Sequence, residues 1–305
     1  MSVVTPCLNG ARFIGETVDS VRSQAGGSVE HVVVDGGSSD GTLEILARAG
    51  DGLRVVSEKG LRQAAAVNHG WLLSKGEILG WLNADDTYYP GAVERVVGHF
   101  AAHPETDALF GDCDYVDEAG VFLRRYPAGP YDLERALASV ENGVPQPTVF
   151  LRRSLFERVG GLDESLDYAL DFDYWLRIAA AGGRLQYLPV LLGRLRLHPG
   201  VKSLRGLEHF AQELPRIYAR FFSRGDLPEH LRRLRRRSMS RVEERGAQCL
   251  FWAGRFSEAR SAARRAWILA PWRVRPLVYA LGGPARRIWE RLSGNPFRLG
   301  LRSRE

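Results

Sequence analysis

At 305 residues, 45% apolar and 26% charged with a formal net charge of +6, the sequence has the make-up of a soluble globular protein, either one large domain or a domain with an appendage. Its longest apolar runs, such as 78–82, are too short to span a bilayer, and no basic segment followed by an apolar one opens the chain, so neither a membrane protein nor a signal peptide is expected. Three scattered cysteines (Cys7, Cys113 and Cys249) with no C-x-x-C pair exclude a disulfide scaffold and read as free thiols of a reducing compartment.

In chain order, the first third alternates strand-like and helical runs. Val3 and Val4 lead into residues 11–24, where Phe13, Ile14, Val18 and Val21 recur at helical spacing. A second apolar run at 31–34 ends in a Gly-rich turn, followed by a helix near 42–48 and by Val55 and Val56. A helical stretch around 64–73 precedes a strand at 77–82. This βαβα alternation predicts a mainly parallel, twisted α/β sheet covered by helices on both faces. Ligands of such sheets gather beyond the carboxyl ends of the strands, which singles out the loops after Val4, Val34, Val56 and Leu82.

From about residue 107 the pattern changes. Residues 108–116 and 120–124 read as a hairpin, 148–151 as a strand, 154–159 as a short helix stopped by Gly160-Gly161, and 171–181 as a longer helix. Two strands, 185–188 and 191–197, return to the sheet. Beyond 204 the chain reads as helical, with a boundary at Asp226-Leu227-Pro228.

Two of the strand-end loops carry chemistry. Val34-Asp35-Gly36-Gly37-Ser38-Ser39-Asp40 puts a carboxylate at a strand end with two glycines behind it, so backbone can approach a flat ligand while Asp35 accepts hydrogen bonds from it. An ordinary strand–turn–helix would use the same residues, and Asp40 is read as a helix cap. G-x-G-x-x-G is absent here and after the first strand, so a dinucleotide fingerprint is not met. The second loop, Leu82-Asn83-Ala84-Asp85-Asp86, runs a hydrophobic strand into paired carboxylates. Like charges side by side are costly unless a cation neutralises them, and hard oxygen ligands beside a diphosphate suit Mg2+ or Mn2+. The bland alternative is a capped turn before the helix at 91–100.

With these loops in place the sequence resembles the family 2 glycosyltransferases, which have the GT-A fold. The likeness starts at Val3-Val4-Thr5-Pro6-Cys7-Leu8-Asn9-Gly10, runs through 35–42 and 83–90, and reaches about Ser203. It implies a GT-A catalytic domain over 1–225, followed by an Arg-rich helical extension over 226–305. By the same resemblance Thr5 and Asp35 hold the nucleotide base, with Pro6 shaping that loop. Asn83-Ala84-Asp85 takes the place of the family's D-x-D, making Asp85 the metal ligand and Asp86 a second candidate. Asn83 stands where the first Asp of that motif belongs and can hydrogen-bond a ribose hydroxyl without adding charge. Many relatives carry an acidic residue and a glycine where this chain has Lys59-Gly60-Leu61-Arg62-Gln63, so only Gln63 and Asn68 carry over as donor contacts there.

The resemblance also gives Asp171, in Leu170-Asp171-Phe172-Asp173-Tyr174-Trp175, the part of the base that deprotonates the acceptor. Direct displacement at an anomeric carbon needs a base opposite the leaving nucleotide. The alternative for Asp171 is a helix N-cap. Asp173 is read as a first-turn residue complementing the helix dipole, and Trp175 as core or pocket wall. After the last strand, His198 is placed to complete the metal sphere or meet the diphosphate, and Arg196 or Lys202 to stabilise the departing charge. Asp112-Cys113-Asp114 repeats the D-x-D spelling, but inside the hairpin, where alternation sends both side chains to one face. It is read as a strand-end or acceptor-side feature.

Residues 228–305 hold 19 Arg, no Lys and six Glu, whereas the other 227 residues carry 23 basic and 30 acidic side chains. Within this tail, Ala253-Gly254-Arg255-Phe256, Ala259, Ala263, Ala266 and Pro271 have the spacing of one tetratricopeptide-like helix pair. Such a pair cannot bury its face alone and is expected to dock on the catalytic body or a neighbour. Trp252, Trp267, Trp272 and Trp289 also fall here. Arg beside Trp and Leu suits a helix in an anionic membrane interface, and equally a charged face over buried Trp. No module for reading nucleic acid accompanies the charge.

The sequence thus predicts an inverting glycosyltransferase. It would move a sugar from a nucleotide-sugar donor, UDP-linked, to a hydroxyl of a saccharide or lipid-linked acceptor, using a divalent cation (Mg2+ or Mn2+). Its place would be cell-surface polysaccharide or glycolipid synthesis, in the cytoplasm and peripheral at the inner membrane face. A sugar-phosphate nucleotidyltransferase would want a Gly-rich, basic phosphate loop that 5–10 does not offer. A non-catalytic relative binding a nucleotide or partner stays open on Asn83 and the altered 59–63 segment.

Overall fold

The computed structural model describes residues 1–24, 29–273 and 275–280. By contacts the chain forms two compact units, Met1–Tyr131 with Gly143–Arg196, and Asp132–Asn142 with Leu197–Glu305. The first unit runs β1 (Ser2–Cys7), α1 (Ile14–Arg22), β2 (Glu30–Asp35), α2 (Thr42–Arg48), β3 (Leu53–Ser57), α3 (Gln63–Leu73), β4 (Ile78–Trp81), β5 (Thr87–Tyr88), α4 (Ala92–Ala102), β6 (Ala108–Val116) and β7 (Phe122–Arg125). After α5 (Leu133–Ser139), a helix of the second unit, come β8 (Phe150–Arg152), α6 (Arg153–Val159), α7 (Leu170–Ala180) and β9 (Leu185–Arg196).

The described strands form one sheet in the order β3-β2-β1-β4-β8-β6-β9-β5, with β7 paired to β6. Strands β3, β2, β1 and β4 are parallel; β8 runs antiparallel to both β4 and β6, and β9 parallel to β6. The expected parallel sheet is therefore the amino-terminal half of a mixed one. β1 and β2 are buried on both faces, which is why apolar residues stand side by side in them at Val3-Val4 and Val32-Val33-Val34. Side-chain alternation splits them between two layers. Val3 and Val33 meet Val21, Ile14 and Val18 of α1, whereas Val4 and Val34 meet Gly70 of α3. A Cβ at Gly70 would lie 2.3 Å from Val4 Cγ1, so this close helix–strand approach needs glycine.

β9 is one strand of 12 residues where the sequence predicts two. Pro189 and Val190 fall in a register shift, since Gly111 pairs with Leu188 and Asp112 with Leu191. That bulge accommodates the proline's missing N–H without ending the strand.

In the second unit, α8 (Lys202–Arg205) and α9 (Leu207–Phe222) precede α10 (Glu229–Trp252), α11 (Phe256–Leu269) and α12 (Arg275–Ala280). α10 and α11 form the expected helix pair. Gly254, at φ 80°, turns the chain so that the Arg255 amide donates to the Leu250 carbonyl at 2.8 Å. The face expected to seek a partner is covered within the unit. Leu250, Phe251, Ala259 and Ala263 cluster with Leu207 of α9 and Tyr279 of α12. Because α9 packs here, the contact division falls ahead of the 225/226 boundary expected from the sequence. Among the described residues no helix is long and apolar enough to cross a membrane. Trp289 and the rest of the Arg-rich extension beyond 280 lie outside the described residues.

Candidate active site

Parallel pairing sets three loops side by side. Cys7 pairs with Asp35 and Val4 with Trp81, and the Leu82 amide donates to the Val4 carbonyl at 3.0 Å, so the loops after β1, β2 and β4 leave one edge of the sheet. Asp35 is fully buried there. Its carboxylate accepts the Gly37 and Ser38 amides at 2.9 and 3.0 Å, the Ser57 hydroxyl at 3.1 Å, and the Ser38 hydroxyl. Burial alone would raise this carboxyl, yet the donors from Ser38, Gly37 and Ser57 hold it below the usual carboxylate range. Asp35 thus builds the turn after β2.

That turn is tied to the loop after β1. Asn9, at φ 54°, donates its amide to Ser38 Oγ (2.7 Å) and accepts the Ser39 amide on Oδ1 (2.9 Å). Asp40 accepts the Ala11 amide (3.0 Å) as well as the Thr42 amide (3.2 Å). It joins the two loops while turning the chain into α2, whose N-cap position is Gly41. Pro6 is buried in β1, paired with Val34. Thr5 is also fully buried, its hydroxyl 2.9 Å from His31 Nε2. Burial, helped by the Arg22 charge, pushes His31 down to about 3, so the imidazole is neutral. Expected to hold the base, the Thr5 side chain here braces the sheet beneath the loop.

Asn83 is the hub of the loop after β4. Its Oδ1 accepts Gln63 Nε2 and Trp81 Nε1, each at 2.9 Å, and its Nδ2 donates to Asp86 Oδ2 (3.1 Å) and Gln146 Oε1 (2.8 Å). Gln146 donates in turn to the Trp81 carbonyl at 2.7 Å. Every hydrogen-bonding position of the Asn83 amide is used, and two of these are donors that a carboxylate lacks. This is a physical reason for Asn where the motif has its first Asp, because a carboxylate at 83 would face Asp86.

Asp86 is buried, with Oδ1 on the Arg196 amide (3.0 Å) and Oδ2 on Asn83. Burial, and next the Asp85 charge, push its carboxyl well above the usual range. Expected as a second metal ligand, Asp86 is instead a structural carboxyl with both oxygens engaged by the protein. Arg196, expected on the departing charge, is likewise engaged by the protein. Only 3% exposed, it donates Nε to the Asp85 carbonyl (3.0 Å) and Nη1 to the Glu118 carbonyl (2.7 Å), and it pairs with Glu16. It fastens the Asp85–Asp86 loop to the end of β9 and does not reach out to a phosphate. Thr17 Oγ1, on α1, holds the loop from the other side at 2.9 Å from the Ala84 and Asp86 carbonyls. Of the paired acids, Asp85 is the half-buried one.

Asn68, expected on the donor, clamps residues 161–164. Its Oδ1 accepts the Leu162 amide (2.8 Å), and its Nδ2 donates to the Leu162 carbonyl (3.0 Å) and Glu164 Oε1 (2.9 Å). That segment leads into α7. Asp171 is the second residue of α7, half-buried, and the N-cap position is Ala169, so Asp171 is not the cap. Asp173 is buried and pairs with Arg177 at 2.8 Å, and Arg177 donates to the Gly161 carbonyl at 2.7 Å. Trp175 is core, its Nε1 buried without a partner.

Burial raises the Tyr126 phenol well above its ordinary value, and the charges of Tyr115 and Asp171 act in the same direction. Tyr115 stacks on Tyr126 with centroids 5.4 Å apart, is raised chiefly by burial, and also feels Asp86. Asp112 and Asp114 do share a face, where Arg125 pairs with both. Asp112 also accepts the Tyr187 hydroxyl at 2.5 Å and Asp114 the Tyr89 hydroxyl at 2.8 Å. This is a structural cluster of paired and hydrogen-bonded carboxylates on the hairpin.

His198 and Lys202 belong to the second unit. His198 Nδ1 accepts the Gly200 amide at 3.1 Å, and Lys202 opens α8. Among the described residues no three His, Cys, Asp or Glu side chains converge on a point that would hold an ion. A donor set of one carboxylate, Asp85, fits Mg2+ or Mn2+ when diphosphate and water supply the remaining positions. Sequence reasoning missed Gln146, Trp81 Nε1, Asn9 and Thr17. A glutamine between Pro145 and Pro147, just ahead of an apolar strand, is a polar residue where burial is the rule, and that signal could have found it.

Residues 2–160 match the model of glycosyl transferase family 2, more than half of the chain. The chain belongs to that family. Among family relatives, an uncharacterized glycosyltransferase of Rickettsia typhi is 30% identical over 187 residues, 58% of this chain and 58% of that protein. A PGL/p-HBAD biosynthesis glycosyltransferase of Mycobacterium tuberculosis is 28% identical over 223 residues, 70% of this chain and 83% of that one. The match thus spans little more than half the length of the Rickettsia typhi relative, and about a third of others from that genus. Staphylococcus aureus TarS 1–349 in complex with UDP-GlcNAc superposes with a TM-score of 0.67 at 16% identity, covering 96% of this chain and 95% of that one. The mannosyltransferase PcManGT of Pyrobaculum calidifontis, in complex with GDP-Man and Mn2+, gives 0.60 at 22%, covering 94% and 82%. These likenesses show the GT-A fold.

Proposed function

We propose that this family 2 chain transfers a sugar, with inversion, from a UDP-linked donor to a hydroxyl acceptor. The observation that carries the reading is the set of loops beyond the parallel strands, with the Asp35 turn and the Asn83–Asp86 loop on either side of the loop after β1. Structural neighbours in complex with UDP-GlcNAc, and with GDP-Man and Mn2+, support it. The Asp35 turn would take the base, supported by Thr5 and Pro6, with Gln63 and Asn83 beside the ribose. Asp85 would hold Mg2+ or Mn2+, which offsets charge on the departing diphosphate. As the acceptor oxygen bonds to the anomeric carbon, Asp171 takes its proton. The bond from that carbon to the phosphate oxygen breaks, and its electron pair leaves with the nucleoside diphosphate. The roles of His198 and Lys202 on the diphosphate rest on the sequence resemblance alone.

The acceptor is read as a saccharide or lipid-linked glycan of cell-surface polysaccharide or glycolipid synthesis. The reaction would run in the cytoplasm at the inner membrane face. Titration calorimetry with UDP, GDP and dTDP, each with and without Mn2+, tests the donor site. Tighter, metal-dependent binding of UDP is expected; a folded sample that binds none of the three would contradict the reading.

A further inference from the structure

The second unit leaves three large apolar side chains in solvent within six residues: Trp267 (41% exposed), Ile268 (57%) and Trp272 (73%). One exposed hydrophobic residue is ordinary, but a group of three with two Trp is not. Arginines surround them. On α11, Arg260 and Arg264 precede Ile268 at four-residue steps and so share its face, and Trp267 follows Arg264 by three. On α10, Arg232, Arg233, Arg235, Arg236 and Arg237 are all exposed. Ser240 Oγ donates to the Ala266 carbonyl at 2.9 Å, which lays this part of α10 along the end of α11. Arg236 joins the two sets: its Nε donates to the Leu269 carbonyl (2.9 Å) and its guanidinium lies 5.9 Å from the Trp272 ring centroid.

Acids do little to neutralise this row. Glu229 pairs with Arg233, while Glu243, Glu244 and Glu258 pair with Arg265, Arg273 and Arg255. Trp and Arg also mark protein–protein interfaces, so what selects the occupant here is the dense, unneutralised like charge around the exposed indoles, which calls for an anionic surface. It matches the edge of a bilayer, where Trp settles at headgroup depth and Arg pairs with lipid phosphate.

We infer that Trp267, Ile268 and Trp272, with Arg232, Arg235, Arg236, Arg237 and Arg264, form the surface by which this chain docks on an anionic lipid bilayer. The inference deepens the membrane-face reading above and rests on it, but it is independent of the donor chemistry. The apolar side chains would enter the headgroup boundary while the arginines meet anionic headgroups.

The test is flotation of the full chain with phosphatidylcholine vesicles, with and without phosphatidylglycerol, beside a Trp267→Ser/Ile268→Ser/Trp272→Ser variant and an Arg235→Gln/Arg236→Gln/Arg237→Gln variant. UDP binding and the thermal midpoint establish that each variant is folded. Expected are binding that requires phosphatidylglycerol, a blue shift of Trp emission on binding, and about tenfold or greater weakening in either variant with UDP affinity unchanged. If the full chain binds but neither variant is weakened, the patch is wrong while the membrane-face reading stands. If the full chain does not float, both fall. A concentration-dependent dimer in lipid-free solution, lost in the Ser variant, would instead assign the patch to a second copy and overturn the inference.

Discussion

At the scale of single residues, Asn83 decides how the β4 loop is built. Its amide gives one hydrogen to Asp86 and one to Gln146, so neutrality at 83 lets a buried carboxyl sit beside the half-buried Asp85. Asn83→Asp replaces two donors by a charge facing Asp86. It should destabilise the protein by about 1–3 kcal/mol in urea unfolding; an unchanged midpoint would contradict the network. His31 sets a pH dependence. In the unfolded chain its imidazole protonates near 6.5, whereas the buried ring resists until about 3. Its contribution is present above 6.5 and is lost as pH falls through that window. Stability should drop by about 2 kcal/mol between roughly pH 7 and pH 5, and His31→Gln should flatten that slope. Asp35, held below the usual carboxylate range, adds its own loss only at lower pH.

At the scale of elements, α7 holds two acids in different settings within one turn. Asp171 is half-buried in the first turn, where the helix dipole favours a carboxylate, while Asp173 is buried on Arg177, which also grips the Gly161 carbonyl. Asp171→Asn should lower kcat by about 10²–10⁴-fold with the unfolding midpoint and UDP affinity kept. Asp173→Asn should do the reverse, costing about 1–3 kcal/mol of stability while turnover per folded molecule stays near normal. Initial rates and urea midpoints on both variants separate the two roles, and equal effects would refute the division.

Elements buried on both faces, such as β1 and β2, are legible in the sequence through their short apolar runs, Val3-Val4 and Val32-Val33-Val34. β9 was not legible as one strand, because Pro189 looks like a stop until the β6 register shows a bulge to absorb it. Helix α5 is hard to read from the sequence although Asp132 caps it, accepting the Arg135 amide at 2.7 Å, and Ala136 and Leu137 give it a buried face. Its signal is only seven residues long, and it packs with helices far along the chain.

At the scale of the whole molecule, the family and the fold could be read from loops lying beyond parallel strands. Which polar residues face inward could not. Thr5, Asn68, Asp86 and Arg196 have the residue types of ligand contacts, yet each is committed to partners brought close only by folding: His31, Leu162, Asn83 and the Asp85 carbonyl. Linear sequence records composition, whereas these contacts join residues 26 to 111 positions apart, apart from the local Asn83–Asp86 pair. The acidic body and the Arg-rich second unit were plain from charge alone. That α9 packs with the second unit depends on contacts along α10.

The central claim is that the strand-end loops form a donor site in which Asp85 supplies the protein's carboxylate to a divalent cation. The most direct measurement is UDP affinity with and without Mn2+ for the native chain and for Asp85→Asn. The account predicts that Mn2+ tightens UDP binding by the native chain, and that Asp85→Asn keeps the weak metal-free binding while losing that gain. An undiminished Mn2+ gain in folded Asp85→Asn would contradict it.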